Sequence, residues 1–150
     1  MEKQDNKVSF ALAKITTEQF ATIESKFCET DDIKLQANFR FAADKENKLV
    51  GVFANFTFEC GQEAFIIIEA GCHFKIKPES WEKLLKSDDN TLVIPKGIIQ
   101  HLAVITVGTT RGILHAKTEN TSFNQFYIPT INMAEMIKQD SVFEFKTNVE

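Results

Sequence analysis

From Ile33 to Phe41 the chain alternates without a break. Ile33, Leu35, Ala37, Phe39 and Phe41 fall on one side and Lys34, Gln36, Asn38 and Arg40 on the other, the period of a strand with one wet face. Before it, Val8–Ile15 (VSFALAKI) alternates more loosely and predicts a first strand; the following TTEQFATIESKFCETDD spaces Phe20, Ile23 and Phe27 by three and four residues, which leaves extended chain and helical turn both open. Leu49 to Cys60 reads as a third strand with Val50, Val52, Ala54, Phe56 and Phe58 inward and Phe53 outward. CGQE then predicts a tight hairpin in which Gly61 supplies the positive backbone angle. In the fourth strand Ile66, Ile68, Ala70, Cys72, Phe74 and Ile76 form the inner set, and Phe65, Ile67, Glu69, Gly71, His73 and Lys75 the outer one.

Past Lys77 the period changes. Pro78 opens PESWEKLLK, a short helix with Trp81, Leu84 and Leu85 on one side, closed by the solvated SDDN. From Pro95 to about Ala116 only Lys96 and Arg111 are charged, and apolar or small residues run nearly all round, which predicts a helix buried on more than one side. Its Ile, Val, Thr and Gly content makes it a poor helix by propensity, so packing must hold it. Gly108 and Gly112 lie four apart; this spacing admits close approach of another backbone, such as a subunit's, and is met as readily by chance. SFNQFYIPTIN reads as a loop, yet carries Phe123, Phe126, Tyr127, Ile128 and Ile131. Asn132 then caps a short helix, with Glu135 at the capping-box position and Met133, Met136 and Ile137 on one edge. The expected architecture is α+β: a four-stranded antiparallel meander with a long helix and a short C-terminal helix on one face.

The length of 150 residues fits a single domain spanning 1–150, with 1–7 and 144–150 expected as flexible tails. A net charge of -4 and a pI near 5.4 argue against nucleic acid as a partner. Cys28, Cys60 and Cys72 are odd in number and lack metal-ligand spacing, so no disulfide framework is expected and a reducing cytoplasm fits. MEKQDNK has no apolar leader character and no run long enough for a bilayer follows, so neither a signal peptide nor membrane insertion is expected.

Catalytic groups do not converge. Cys72 and His73 are strand neighbours and point to opposite faces, so they cannot act as nucleophile and base. His101 and His115 are about four helical turns apart, roughly 20 Å. VGTTRG lacks the GK[ST] ending of a phosphate cradle, and Asp31, Asp32, Glu79, Glu82, Asp88 and Asp89 all read as solvated positions. No enzyme activity, cofactor or metal is expected. There are 14 Phe against 1 Tyr and 1 Trp, so nearly all the aromatic surface lacks a polar handle. Phe53, Phe65 and Ile67 outside the sheet, with Phe123, Phe126 and Tyr127 in the loop, exceed what a one-faced core needs; either the chain or a sister subunit covers them, or they bind apolar segments of other proteins.

Taken with Arg111, Gly112, Phe123, Gln125, Pro129, Asn132, the following MAEMI and the hairpin stretch EAFIIIE, the order of elements resembles the SecB family of protein-export chaperones over Val8 to Ile137. That resemblance implies a holdase without ATP use that keeps unfolded precursors from aggregating and passes them to the SecA export motor. It implies a dimer of dimers with first strands paired across subunits and long helices sandwiched between them, placing Val8, Phe10, Ile105, Gly108 and Gly112 at subunit interfaces. Client grooves would involve Phe20, Phe27, Phe123, Phe126, Tyr127 and Met136, and motor docking would use the outer face, at Glu69 with Phe53, Phe65 and Ile67. HAKTENTS, residues 115–122, is longer than the family pattern, and the tail VFEFKTNVE differs in kind. A SecB-like protein for one fixed partner, such as an antitoxin it shields, or for a small apolar ligand is the alternative.

Overall fold

A computed structural model of the chain describes residues 7–29 and 32–146; Thr30, Asp31 and the tail positions 1–6 and 147–150 lie outside the described residues. Four long strands, β1 (Phe10–Thr22), β2 (Ile33–Asp44), β3 (Leu49–Cys60) and β4 (Glu63–Ile76), make one antiparallel sheet. Helices α1 (Pro78–Leu84), α2 (Lys96–Thr118) and α3 (Met133–Met136) follow, and β5 (Thr91–Ile94) pairs with β6 (Ser141–Glu144) as a second small sheet.

The strand order is β1-β4-β3-β2, which corrects the expected meander. β2, β3 and β4 are joined by hairpins, but β1 lies beside β4, the Greek-key order. Alternation fixes which face a side chain takes and is silent about which strand lies next door. The connection between β1 and β2 decides that: it runs from Ile23 to Asp32 through a short 3₁₀ turn at Glu24–Lys26, too long for a tight hairpin. The segment left open between strand and helix is mostly strand, since β1 continues to Thr22.

Gly61 takes φ 66° as the first of two residues between Cys60 and Glu63, the glycine-first arrangement that matches strand twist. One rung later the ladder shifts. Phe58 pairs with Ile66 and Glu59 with Ala64, leaving Phe65 as an extra residue. This β-bulge breaks the period of two and turns Phe65 to the inner face, where it is fully buried, so its expected outward placement is overturned.

Inside, Val52, Phe56, Ile68, Phe74 and their neighbours meet Ile99, Leu102, Ala103, Val107 and Leu114 of α2. The buried Thr106, Thr110 and Thr118 return their hydroxyl protons to the carbonyls of Leu102, Thr106 and Leu114 at 2.7–2.8 Å, which allows polar residues on a core-facing helix side. A second side of α2 meets the segment leading into and out of α3, where Arg111 bonds the carbonyls of Ile128 and Pro129 and Gln100 that of Ile137, and the remaining side is open. Val104 on its outer side is 53% exposed, and a Cβ placed on Gly97, Gly108 or Gly112 would touch nothing within 4 Å.

Cys28 and Cys60 form a disulfide with Cα atoms 6.0 Å apart, contrary to the expectation of unpaired thiols, while Cys72 is free and buried. The pairing could not be read from a spacing of 32 residues; the sheet brings the end of β3 under the β1–β2 connection. The C-terminal stretch also departs from expectation. Glu144 belongs to β6, and Phe145 stacks on the buried Trp81 at 6.1 Å, so the segment before residue 147 is part of the packed structure.

Candidate functional site

The greasy loop is answered in part by the chain itself. Thr121 accepts the Phe123 N–H at 3.2 Å and starts the 3₁₀ turn Ser122–Gln125, which drops Phe123 into the core at 3% exposure. Phe126 follows and meets Phe65 at 5.0 Å and Phe58 at 5.9 Å. From the opposite side Phe27, just past the Glu24–Lys26 turn, approaches Phe65 at 5.3 Å, Phe126 at 5.7 Å and Phe123 at 5.8 Å. Edge-on contacts dominate, as ring quadrupoles favour. The bulge at Phe65 is therefore what centres this cluster, a contribution that alternation concealed.

Phe27, Cys28, Glu29, Ile33, Ser122, Gln125 and Phe126 line a groove of about 420 Å³ on this cluster. Half-buried Phe27 and Phe126 form its reachable floor, and Phe123 supports it from beneath. The Cys28–Cys60 bridge ties one wall to the sheet. Of the other expected groove residues, Phe20 lies on the same sheet face under the Lys117 ammonium, 5.5 Å from its ring. Tyr127 does not join them: it is 59% exposed and stacks on His115 at 6.5 Å. Met136 is exposed on α3, outside the groove lining.

On the outer face Phe53 points as expected but is no open patch. It is 7% exposed, with the Arg40 guanidinium 4.0 Å above its centroid and His73 5.4 Å away edge-on. The ring lies over Gly71, its cross-strand partner, where an added Cβ would come within 2.7 Å of it. Glu69 is held by Arg40 Nη2 at 3.1 Å and Asn55 Nδ2 at 3.0 Å, and Ile67 is half-buried.

A second uncovered surface lies between β1 and α2. His101 meets Phe10 at 5.9 Å and Lys117 meets Phe20, so helix and strand run side by side. Between these contacts the inward-facing Leu12 and Ile15 are 47% and 49% exposed. At 100° per residue Ile105, Gly108 and Gly112 fall on the His101 side of α2 and complete the trough. Val8 is not on the strand edge; Ser9 N donates to Ser80 Oγ at 2.9 Å and its carbonyl accepts from Lys77 N, which turns Val8 toward α1. Among the described residues no three His, Cys, Asp or Glu side chains gather as a metal site.

In comparisons with known protein families and with curated proteins, nothing matches the chain.

Proposed function

We propose that the chain is a nucleotide-independent holdase of the SecB type, working in the cytoplasm as a multimer on unfolded or precursor polypeptides. The observation that carries this reading is the groove with Phe27 and Phe126 as its floor, two aromatic rings within a rim that also carries Glu29, Ser122 and Gln125. Such a surface suits extended apolar segments of varied sequence, because burial and main-chain contact supply affinity without a fixed side-chain code. At about 25 cal/mol per Å² of buried apolar area, less the entropy of ordering the client, each groove binds modestly, and several grooves in one assembly strengthen the grip.

The trough of Leu12, Ile15, Ile105, Gly108 and Gly112 supports assembly: it is uncharged, and its glycines leave room for a second backbone. The free edge of β1, 13 residues long, supports pairing of first strands across subunits. Handing of clients to an export motor belongs to the same proposal, with Glu69 as the docking residue, reached by exchanging its bonds to Arg40 and Asn55.

Suppression of light scattering by a chemically denatured protein, without nucleotide, tests the reading. Suppression at about one assembly per client is expected, together with a sedimentation mass that is a multiple of 17.0 kDa. A monomer that leaves aggregation unchanged would overturn it.

A further inference from the structure

We infer that a separate cleft beside α1 binds a small amphiphilic carboxylate. This cleft, of about 330 Å³, is lined by Lys7, Val8, Ser80, Lys83, Leu84, Leu85, Lys86, Val93, Pro95 and Ile98. Its volume falls in the range of small-ligand sites, which are mostly apolar with a few polar groups that orient the ligand. The walls come from α1, β5, the start of α2 and the segment ahead of β1, so four parts of the fold must meet to make it.

The charge pattern selects the ligand. The chain carries a net charge of -4, yet Lys7, Lys83 and Lys86 all line this cleft, and among the described residues no carboxylate does. Among the described residues the ion pairs are Lys26–Glu63, Arg40–Glu69 and His115–Glu119, so none of the three ammonium groups is committed to an acid at that range. Asp88 lies near enough to Lys86 to attract its charge, but the Asp88 carboxylate already accepts the N–H groups of Asn90 and Thr91 and the Thr91 hydroxyl. Ser80 is 6% exposed; its oxygen accepts Ser9 N–H, which leaves its own proton for an acceptor in the cleft. Three cations and a buried hydroxyl at an apolar slot call for one anionic head on an apolar body. A carboxylate accepting charge-assisted bonds from two ammonium groups fits, with its tail along Val8, Leu84, Val93 and Ile98. A neutral head would strip water from the lysines without replacing it.

The cleft shares no lining residue with the Phe27–Phe126 groove, so this inference stands apart from the holdase reading. The test is equilibrium dialysis of the full chain against the straight-chain carboxylates from hexanoate to dodecanoate, below their micelle concentrations, with decanol and decylamine as controls. Emission of Trp81, the sole tryptophan, buried on α1, reports the place. Expected are saturable one-to-one binding, at least tenfold preference for decanoate over decanol, and at least tenfold weakening by Lys83→Glu, which removes one charge-assisted bond and adds a carboxylate that repels the ligand. Phe126→Ala should leave this binding unchanged. No saturable binding by any carboxylate, equal binding of decanol, indifference to Lys83→Glu, or loss with Phe126→Ala would each overturn the inference.

Discussion

Arg111 on α2 donates Nε–H to the carbonyl of Ile128 at 2.6 Å, and its Nη2 reaches the carbonyl of Pro129 at 2.7 Å. One guanidinium thereby fixes the exit of the aromatic turn against the long helix. Ile128 itself is 1% exposed, so its carbonyl has little access to water as a substitute. The Arg-Gly pair in the sequence is thus a clamp followed by an open helix position.

Arg111→Ala should lower stability by about 2–3 kcal/mol, the cost of losing charged hydrogen bonds and leaving a buried carbonyl unpaired. Arg111→Lys should recover less than half, because an ammonium lacks the planar fork that serves two neighbouring carbonyls. Urea unfolding of the three proteins checks both outcomes.

Gly71→Ala should cost about 1–3 kcal/mol, since the new methyl would meet the Phe53 ring at 2.7 Å and Thr16 Oγ1 at 2.8 Å. The loss should be smaller in a Phe53→Leu background. A double-mutant cycle by urea unfolding should therefore show non-additivity, as direct neighbours do.

Acid should weaken the fold at two turns. The Asn47 side chain, then its backbone N–H, holds Asp44 below the ordinary 3.8; the Asn90 N–H, then the Thr91 hydroxyl, does the same for Asp88. A depressed carboxyl stabilises the folded state above the unfolded value, and that gain disappears as pH falls through 3.8 toward the folded value. The urea midpoint of Asp88→Asn should lie below the parent's at pH 7 and converge with it as pH drops beneath that point.

Cysteine labelling separates the two redox states. Protein unfolded without reductant should expose one reactive thiol, Cys72, and with reductant three. The bridge closes a separation of 32 residues, so removing it with Cys28→Ser should cost about 3–4 kcal/mol under oxidising conditions by the loop-entropy relation. Three labelled cysteines in protein quenched directly from cells would support work in a reducing cytoplasm, and one would place it where disulfides persist.

Alternation made β2, β3 and most of β4 legible, down to the inward sets around Phe39, Phe56 and Ile68, and Pro95 and Pro78 marked two helix starts. Neighbour order was not legible, because the same pattern serves β1 beside β2 or beside β4. Phe65 was misplaced for a physical reason: a bulge adds one residue without leaving a composition signal. β5 and β6 were missed because strands of four residues carry too few alternations to stand out, and their partners lie far apart in sequence. At the site, Phe27, Phe123 and Phe126 were named and do meet, whereas Tyr127 and Met136, given to the groove by the same family resemblance, turn elsewhere. The cover over Phe53 was missed because a cation above a ring depends on the β2–β3 register, which pairs Arg40 with Phe53.

Central to the functional account is binding of unfolded chain at the Phe27–Phe126 floor. The direct measurement is titration of a fluorescently labelled, reduced and carboxymethylated polypeptide into the parent chain and into Phe126→Ser, with circular dichroism and the urea midpoint verifying that the variant is folded. Saturable binding by the parent and at least tenfold weaker binding by the folded variant is the predicted result. Equal binding by both, or none by the parent, would contradict the account.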